Sequence, residues 1–301
     1  MIFTTSVLVC LLLFVSKVGA EDTCVWYGQC HTSDKPPVLN CLYSGLPKPL
    51  GNASVIEVFN EICPELVNRS GKTVTCCNAD QIEILADGLV NVKPLLARCP
   101  SCWHNFRNFL CVVTCSPNQS RYMNVTRPGP EDLTVSEHDF QKVVKSVEFM
   151  LTESYTKAFF DSCKSVSNPT MGNTSKAIDT LCGKANFCTK KRFLTYLLEK
   201  VTSFPLNTVN VTFWNNNITT NGRTFQPLNL TVAKCNERIG NENACDCVDC
   251  DDSCPKFPET FNQSGISFPV VVAFLILCII IKKRKKKRQS AAVTDPHKPK
   301  Y

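Results

Sequence analysis

The chain is 301 residues long, 44% hydrophobic, with twenty cysteines and a formal net charge of +7. That charge is local: residues 282–301 hold nine Lys/Arg against Asp295, and Lys17 lies near the start, so residues 21–281 carry a net −2. A basic nucleic-acid-binding body is thereby excluded, and the cysteine content points to an oxidising compartment.

Residues 2–20 contain an apolar run from Val7 to Val15, followed by Ser16, Lys17, Val18 and the small Gly19 and Ala20. No basic residue precedes the run, but its length and small-residue end predict a secretory signal over 1–20 and a mature start near Glu21. Cys10 falls in this signal and Cys278 in a second apolar run, which leaves eighteen of the twenty cysteines between Cys24 and Cys254. An even set in a lumen favours nine disulfides over metal sites. Cys99-Pro-Ser-Cys102 with Cys247-Val-Asp-Cys250 has the spacing of a zinc site, a reading the compartment disfavours.

The 234 residues from Glu21 to Cys254 suffice for one domain with its own core. Cys24-Val-Trp-Tyr-Gly-Gln-Cys30 opens it and leads into a loop ending at Asn40-Cys41, then a turn-rich stretch from Tyr43 to Pro49. Helices are predicted over Val55–Leu66 and Asp80–Ala97, the latter with Ile82, Leu85, Leu89, Val92 and Leu96 on one face despite Gly88 and Pro94. Adjacent Cys76 and Cys77 are poorly placed to pair with each other, so each ties down a different distant segment. Between Cys99 and Cys115, Trp103, Phe106, Phe109, Leu110 and Val113 recur at spacings of three and four, a short helix bracketed by four sulfurs and read as the hub of the domain.

The longest periodic stretch, Asp139–Cys163, predicts a single helix with Phe140, Val143, Val144, Val147, Met150, Leu151, Tyr155, Ala158 and Phe159 as its apolar stripe and Ser136 as its cap. Another helix is predicted over Lys190–Val201, capped by Thr189. Alternation then sets in at Val209–Phe213 and at Leu228–Val232, the pattern of strands with Asn210 and Asn229 on the polar face. Cys235, Cys245, Cys247, Cys250 and Cys254 close the domain, and residues 255–263 form a linker with Pro255 and Pro258.

Residues 264–281 are apolar, long enough as a helix to reach about 27 Å, and are closed by the basic stretch Lys282–Arg288. One transmembrane helix is predicted, lumen first, with a basic cytosolic tail over 282–301 facing anionic headgroups. The basic tail argues against a cleaved carboxy-terminal anchor signal. Glycosylation sequons at Asn52, Asn68, Asn118, Asn124, Asn173, Asn210, Asn217, Asn229 and Asn262 all precede the span, in keeping with this topology.

Signals of catalysis are missing. There is no Gly-x-Ser-x-Gly turn, phosphate loop or paired-His motif, and His31, His104 and His138 lie far apart in sequence. Asp246, Asp249, Asp251 and Asp252 read as a solvated acidic loop rather than a calcium site. The expected protein is not an enzyme and carries no cofactor.

Several ordered motifs carry a specific resemblance. Cys24-Val-Trp-Tyr-Gly, Cys41-x-Tyr-Ser-Gly with Pro47-Lys-Pro-Leu50, Cys76-Cys77, Arg98-Cys-Pro-Ser-Cys102, Thr114-Cys-Ser-Pro117, Asn124-Val-Thr126, Leu181-Cys-Gly-Lys184 and Cys245-x-Cys-x-x-Cys250 resemble the amino-terminal lumenal domain of the Niemann–Pick type C sterol transporter family, over about residues 24–254. The resemblance implies an α+β fold, mainly helical and disulfide-rich with a small β-sheet, here followed by one transmembrane helix. It implies a deep sterol pocket whose hydroxyl contacts fall on Asn40 and Gln81, with Trp26, Leu85, Leu110, Tyr196, Pro205 and Leu206 lining the pocket or its entrance. Gln29 replaces an acidic residue of the family at that entrance, and Leu206 an aromatic one. The residues alone allow plainer roles, Gln81 completing a capping box with Asn78 and Asn40 stabilising a turn.

The same resemblance implies disulfides Cys24–Cys76, Cys30–Cys41, Cys63–Cys111, Cys77–Cys115, Cys99–Cys245, Cys102–Cys163, Cys182–Cys188, Cys235–Cys250 and Cys247–Cys254. It implies sterol as ligand, a soluble lumenal sterol carrier as partner, and a lysosomal or late endosomal site. Family members continue into a polytopic membrane region, whereas this sequence ends after one span, which implies a tethered sterol-binding form, a truncated product or a subunit rather than a complete transporter. Two other functions remain open: a cysteine-rich vitamin-binding receptor of the folate-receptor type, and an adhesion or signalling ectodomain.

Overall fold

The structure, a computed structural model, describes residues 22–30, 39–69, 71–128, 143–168, 175–183, 187–201, 208–256 and Lys282. The chain divides into two units, Met1–Cys254 and Pro255–Tyr301. The predicted signal, transmembrane run and basic tail, apart from Lys282, lie outside the described residues. Among those described, no helix is long and apolar enough to cross a membrane.

The first unit opens with β1 (Trp26–Cys30) antiparallel to β2 (Leu39–Leu42), so Asn40 sits in a strand and not in the expected turn. A smaller pair, β3 (Lys48–Pro49) and β4 (Val74–Thr75), follows. Helix α1 (Ala53–Ile62) is capped by the side chain of Asn52 and stops at Cys63-Pro64, where the chain tightens into a 3-10 turn over Pro64–Leu66. This shortens the predicted helix because proline at 64 cannot donate to the ladder. Helix α2 (Ala79–Leu96) buries Ile82, Leu85, Leu89, Val92 and Leu96, the predicted face, and tolerates Pro94 in its last turn.

Helix α3 (Pro100–Cys115) starts with proline at its first position, where the missing N–H costs nothing. Twelve of its residues are buried, so burial extends well beyond the predicted apolar face, and only Pro100, Trp103, His104 and Arg107 form a half-buried stripe along its first turns. Four disulfides radiate from it: Cys99 to Cys245, Cys102 to Cys163, Cys111 to Cys63 and Cys115 to Cys77. The remaining bridges are Cys24–Cys76, Cys30–Cys41, Cys182–Cys188, Cys235–Cys250 and Cys247–Cys254, and all nine pairs are those the resemblance implies. Every bridge and the main buried cluster fall inside the first unit, which makes it a self-contained folding unit.

The main departure from expectation is at Asp139–Cys163. Residues 144–151 form strand β6 (Val144–Leu151), central between antiparallel β5 (Met123–Pro128) and parallel β7 (Thr208–Phe213). Only Glu153–Cys163 is helical (α4), and its cap is Thr152, whose hydroxyl accepts from the Tyr155 N–H at 3.2 Å. The predicted cap Ser136 and stripe residue Phe140 lie outside the described residues. Beyond α4 come the short α5 (Ala177–Thr180) and α6 (Lys190–Tyr196), capped by Thr189 as predicted and continued by a wider π turn over Leu197–Val201.

Strand β7 alternates as predicted, with Val209 and Val211 buried and Asn210 exposed. The hairpin of β8 (Ile218–Thr220) and β9 (Arg223–Phe225) was not anticipated. The predicted strand at Leu228–Val232 reduces to one bridge between Leu228 and Leu151. The acidic loop also differs: Asp246, Asp251 and Asp252 are exposed, but Asp249 is buried, paired with Arg98 at 3.1 Å and accepting from the Ser167 N–H at 2.8 Å. Among the described residues, no His, Cys, Asp and Glu cluster is arranged to hold a metal.

Candidate functional site

The candidate site is assembled where β1, β2 and the first turn of α2 meet. Asn78 begins α2 as its cap, accepting from the Gln81 N–H at 3.1 Å, and Gln81 returns the contact by accepting from the Asn78 N–H at 3.1 Å. The capping box read from the sequence is therefore present. It is only part of what Gln81 does. Its Oε1 also accepts from the Gly28 N–H at 2.7 Å, at an irregularity in β1 where Gly28 takes φ +76°. A side chain bearing Cβ is strained at that φ, so glycine is what lets the strand turn this N–H onto the helix.

With Oε1 engaged by two backbone donors, the orientation of the Gln81 amide is fixed and its Nε2 must face outward. Nε2 donates to Asn40 Oδ1 at 2.9 Å. This in turn fixes the Asn40 amide and leaves its Nδ2 buried without a hydrogen-bond partner. Both side chains are sequestered, Asn40 at 2% exposure and Gln81 at 0%. A buried amide donor left unpaired costs about 1–3 kcal/mol, so the pair is poised to receive an acceptor oxygen. Neither side chain carries a charge, so an uncharged ligand group suits the site better than an anion.

Around the pair, Gln29 stands opposite Asn40 in the β1–β2 ladder, half-buried. Leu85 lies one turn beyond Gln81 on the buried face of α2. Trp26 is buried with its Nε1 donating to the Thr114 carbonyl at 3.2 Å, which ties β1 to the hub helix, and Leu110 is buried on that helix. Trp26, Leu85 and Leu110 belong to one buried cluster. Tyr196 is half-buried at the end of α6, its ring beside Gly183. Pro205 and Leu206 lie outside the described residues. The contribution of Gly28 left no signal in the sequence beyond its being a glycine in a strand-like run.

Comparison with known proteins bears on what such a site serves. The sequence model of the Niemann-Pick C1 N terminus matches residues 21–273. The chain belongs to that family. Niemann-Pick C1 N-terminus relatives include the "NPC intracellular cholesterol transporter 1" of Sus scrofa, 32% identical over 253 residues that cover 83% of this chain and 19% of the relative. The "NPC1-like intracellular cholesterol transporter 1" of Homo sapiens is 32% identical over 280 residues, covering 85% of this chain and 19% of the relative. Its counterpart in Rattus norvegicus is 32% identical over 229 residues, 73% of this chain and 16% of the relative. The chain thus spans under a fifth of the length of these relatives.

Proposed function

We propose that this chain is a non-enzymatic sterol-binding protein, which buries a sterol in its disulfide-rich unit with the hydroxyl held by Asn40 and Gln81. The observation that carries this reading is the orphaned Nδ2 of Asn40, a buried, neutral, geometrically fixed donor whose partner Gln81 lies one helical turn from buried Leu85. A sterol has one hydroxyl on a large apolar body and needs few polar contacts. Its oxygen would accept from Asn40 Nδ2. Burying roughly 500 Å² of such a ligand supplies about 12 kcal/mol before ordering costs, so apolar lining provides the affinity and the amide pair the orientation. Trp26, Leu110, Gln29, Tyr196, Pro205 and Leu206 are proposed to line the pocket and its mouth, by the family resemblance.

The setting is proposed on the same basis: secretion past a signal at 1–20, glycans on the sequon asparagines, one membrane span at 264–281, an endolysosomal address and exchange of sterol with a soluble carrier. Exposure of Asn52, Asn68, Asn210, Asn217 and Asn229 supports their glycosylation, whereas Asn118 and Asn124 are half-buried. The test is saturable binding of labelled sterol to a secreted fragment of residues 21–256, with Asn40→Ala weakening it about 5- to 150-fold. A well-oxidised wild-type fragment that binds no sterol would overturn the reading.

A further inference from the structure

Phe187 is 85% accessible, the most exposed large apolar side chain among the described residues. It precedes Cys188, whose disulfide to Cys182 closes a short loop. The base of that loop is clipped to α6 twice. Arg192 Nε donates to the Cys182 carbonyl at 3.0 Å, and the Tyr196 ring packs so closely on Gly183 that a Cβ there would lie 2.6 Å from Cε2. Cys188 and the cap Thr189 join Phe187 directly to the start of α6, so the exposed ring sits beside that helix.

The helix beside it is two-faced. Phe193 and Leu194 are buried, while Lys191 and Arg192 are exposed and line one hollow with Phe187 and Tyr196. Neither cation has a carboxylate partner among the described residues. Neighbouring Lys190 is taken up by Glu153. One acid, Glu199, also lines the hollow, accepting from the Val209 N–H at 3.1 Å, and it offsets only one of the two cations. The patch is therefore net positive around one protruding ring.

We infer that Phe187, Lys191 and Arg192 dock the first unit on an anionic lipid bilayer. Charge complementarity commits the patch to that occupant: cations meet the headgroups while a single ring reaches the acyl boundary, an arrangement used by interfacial anchors. A protein interface needs a broader apolar centre than one ring. Tyr196, a proposed mouth residue, shares the hollow, so docking brings the mouth to the membrane and permits direct exchange of sterol with it. That use rests on the sterol reading, but the contact itself does not.

The experiment is flotation of the sterol-free fragment of residues 21–256 with phosphatidylcholine vesicles, with and without phosphatidylserine. Binding is expected only with the anionic lipid and weakens as salt rises. Phe187→Ser lowers it about ten-fold and Lys191→Gln about five-fold, with labelled-sterol binding unchanged as the check on folding. Absent binding, equal binding to neutral vesicles, or binding indifferent to both substitutions overturns the inference. So does a Phe187→Ser protein that floats normally yet loses sterol exchange only when a soluble acidic carrier is present, which reassigns the patch to a protein partner. A fragment that floats but binds no sterol leaves the docking surface intact and sinks the sterol reading alone.

Discussion

Asn40→Ala and Gln81→Ala should separate function from stability. Gln81 Oε1 is the partner of two backbone donors, Gly28 N–H and Asn78 N–H, at 2.7 and 3.1 Å. Its truncation removes the single acceptor of both, and with Nε2 also gone it strands the Gly28 donor and Asn40 Oδ1 in the interior, at about 1–3 kcal/mol for each unpaired group. Asn40→Ala instead strands the buried Gln81 Nε2 but removes a donor that already lacks a partner, so the two effects largely offset each other. The two unpaired groups make Gln81→Ala the more destabilising by about 2–6 kcal/mol, whereas both lose the sterol hydroxyl contact. Urea denaturation of the oxidised fragment, followed by intrinsic fluorescence, measures the first quantity, and labelled-sterol titration the second. Equal destabilisation by the two substitutions would refute the network as drawn. Undiminished sterol affinity in a folded Asn40→Ala protein would refute the role of the orphan donor.

Arg98→Met is expected to destabilise by about 2–3 kcal/mol, because it leaves the buried Asp249 carboxylate without its cation, and denaturation midpoints would reveal it. Burial is the largest influence on His104 and lowers its pKa below 6.5; nearby Glu65 raises it and Arg107 lowers it further. The unfolded chain then binds the proton more readily than the folded one, so His104 contributes a loss of stability as pH falls from 6.5 through its lower folded value. Melting temperatures of His104→Gln should accordingly decline less than wild type between neutral and mildly acidic buffer; parallel declines would remove His104 from the account. Gly183→Ala must accommodate both φ +69° and the Tyr196 ring, and a loss of about 1–3 kcal/mol is expected in thermal melts.

The hub was legible because four cysteines and an apolar repeat coincide within one short stretch, and α2 was legible because its buried face recurs at helical spacing across Gly88 and Pro94. Strand β6 was not. A central strand is covered on both faces, and Val144, Val147, Met150 and Leu151 then satisfy a helical repeat as well as a strand run. The β-branched cluster Val143, Val144 and Val147 was the overlooked cue. Asn221-Gly222 between Thr220 and Arg223 is a hairpin-turn dipeptide that also went unused. At the site, the capping box of Asn78 and Gln81 could be read from spacing alone. The contact between Gln81 and Asn40 spans 41 residues and depends on the fold, so neither periodicity nor local motif could supply it. The burial of Asp249 was hidden for the same reason, since its partner Arg98 lies 151 residues away.

The hub also sets a timetable for synthesis. Cys99 must find Cys245, 146 residues downstream, while Cys102, three positions away, is available almost at once. At roughly 5–20 residues per second, the correct partner emerges on the order of ten seconds or more later. During that interval the hub helix presents reactive thiols to whatever neighbours are already exposed. Efficient maturation thus depends on thiol exchange to undo early mispairing, and the yield of active protein becomes sensitive to the isomerase capacity of the producing cell.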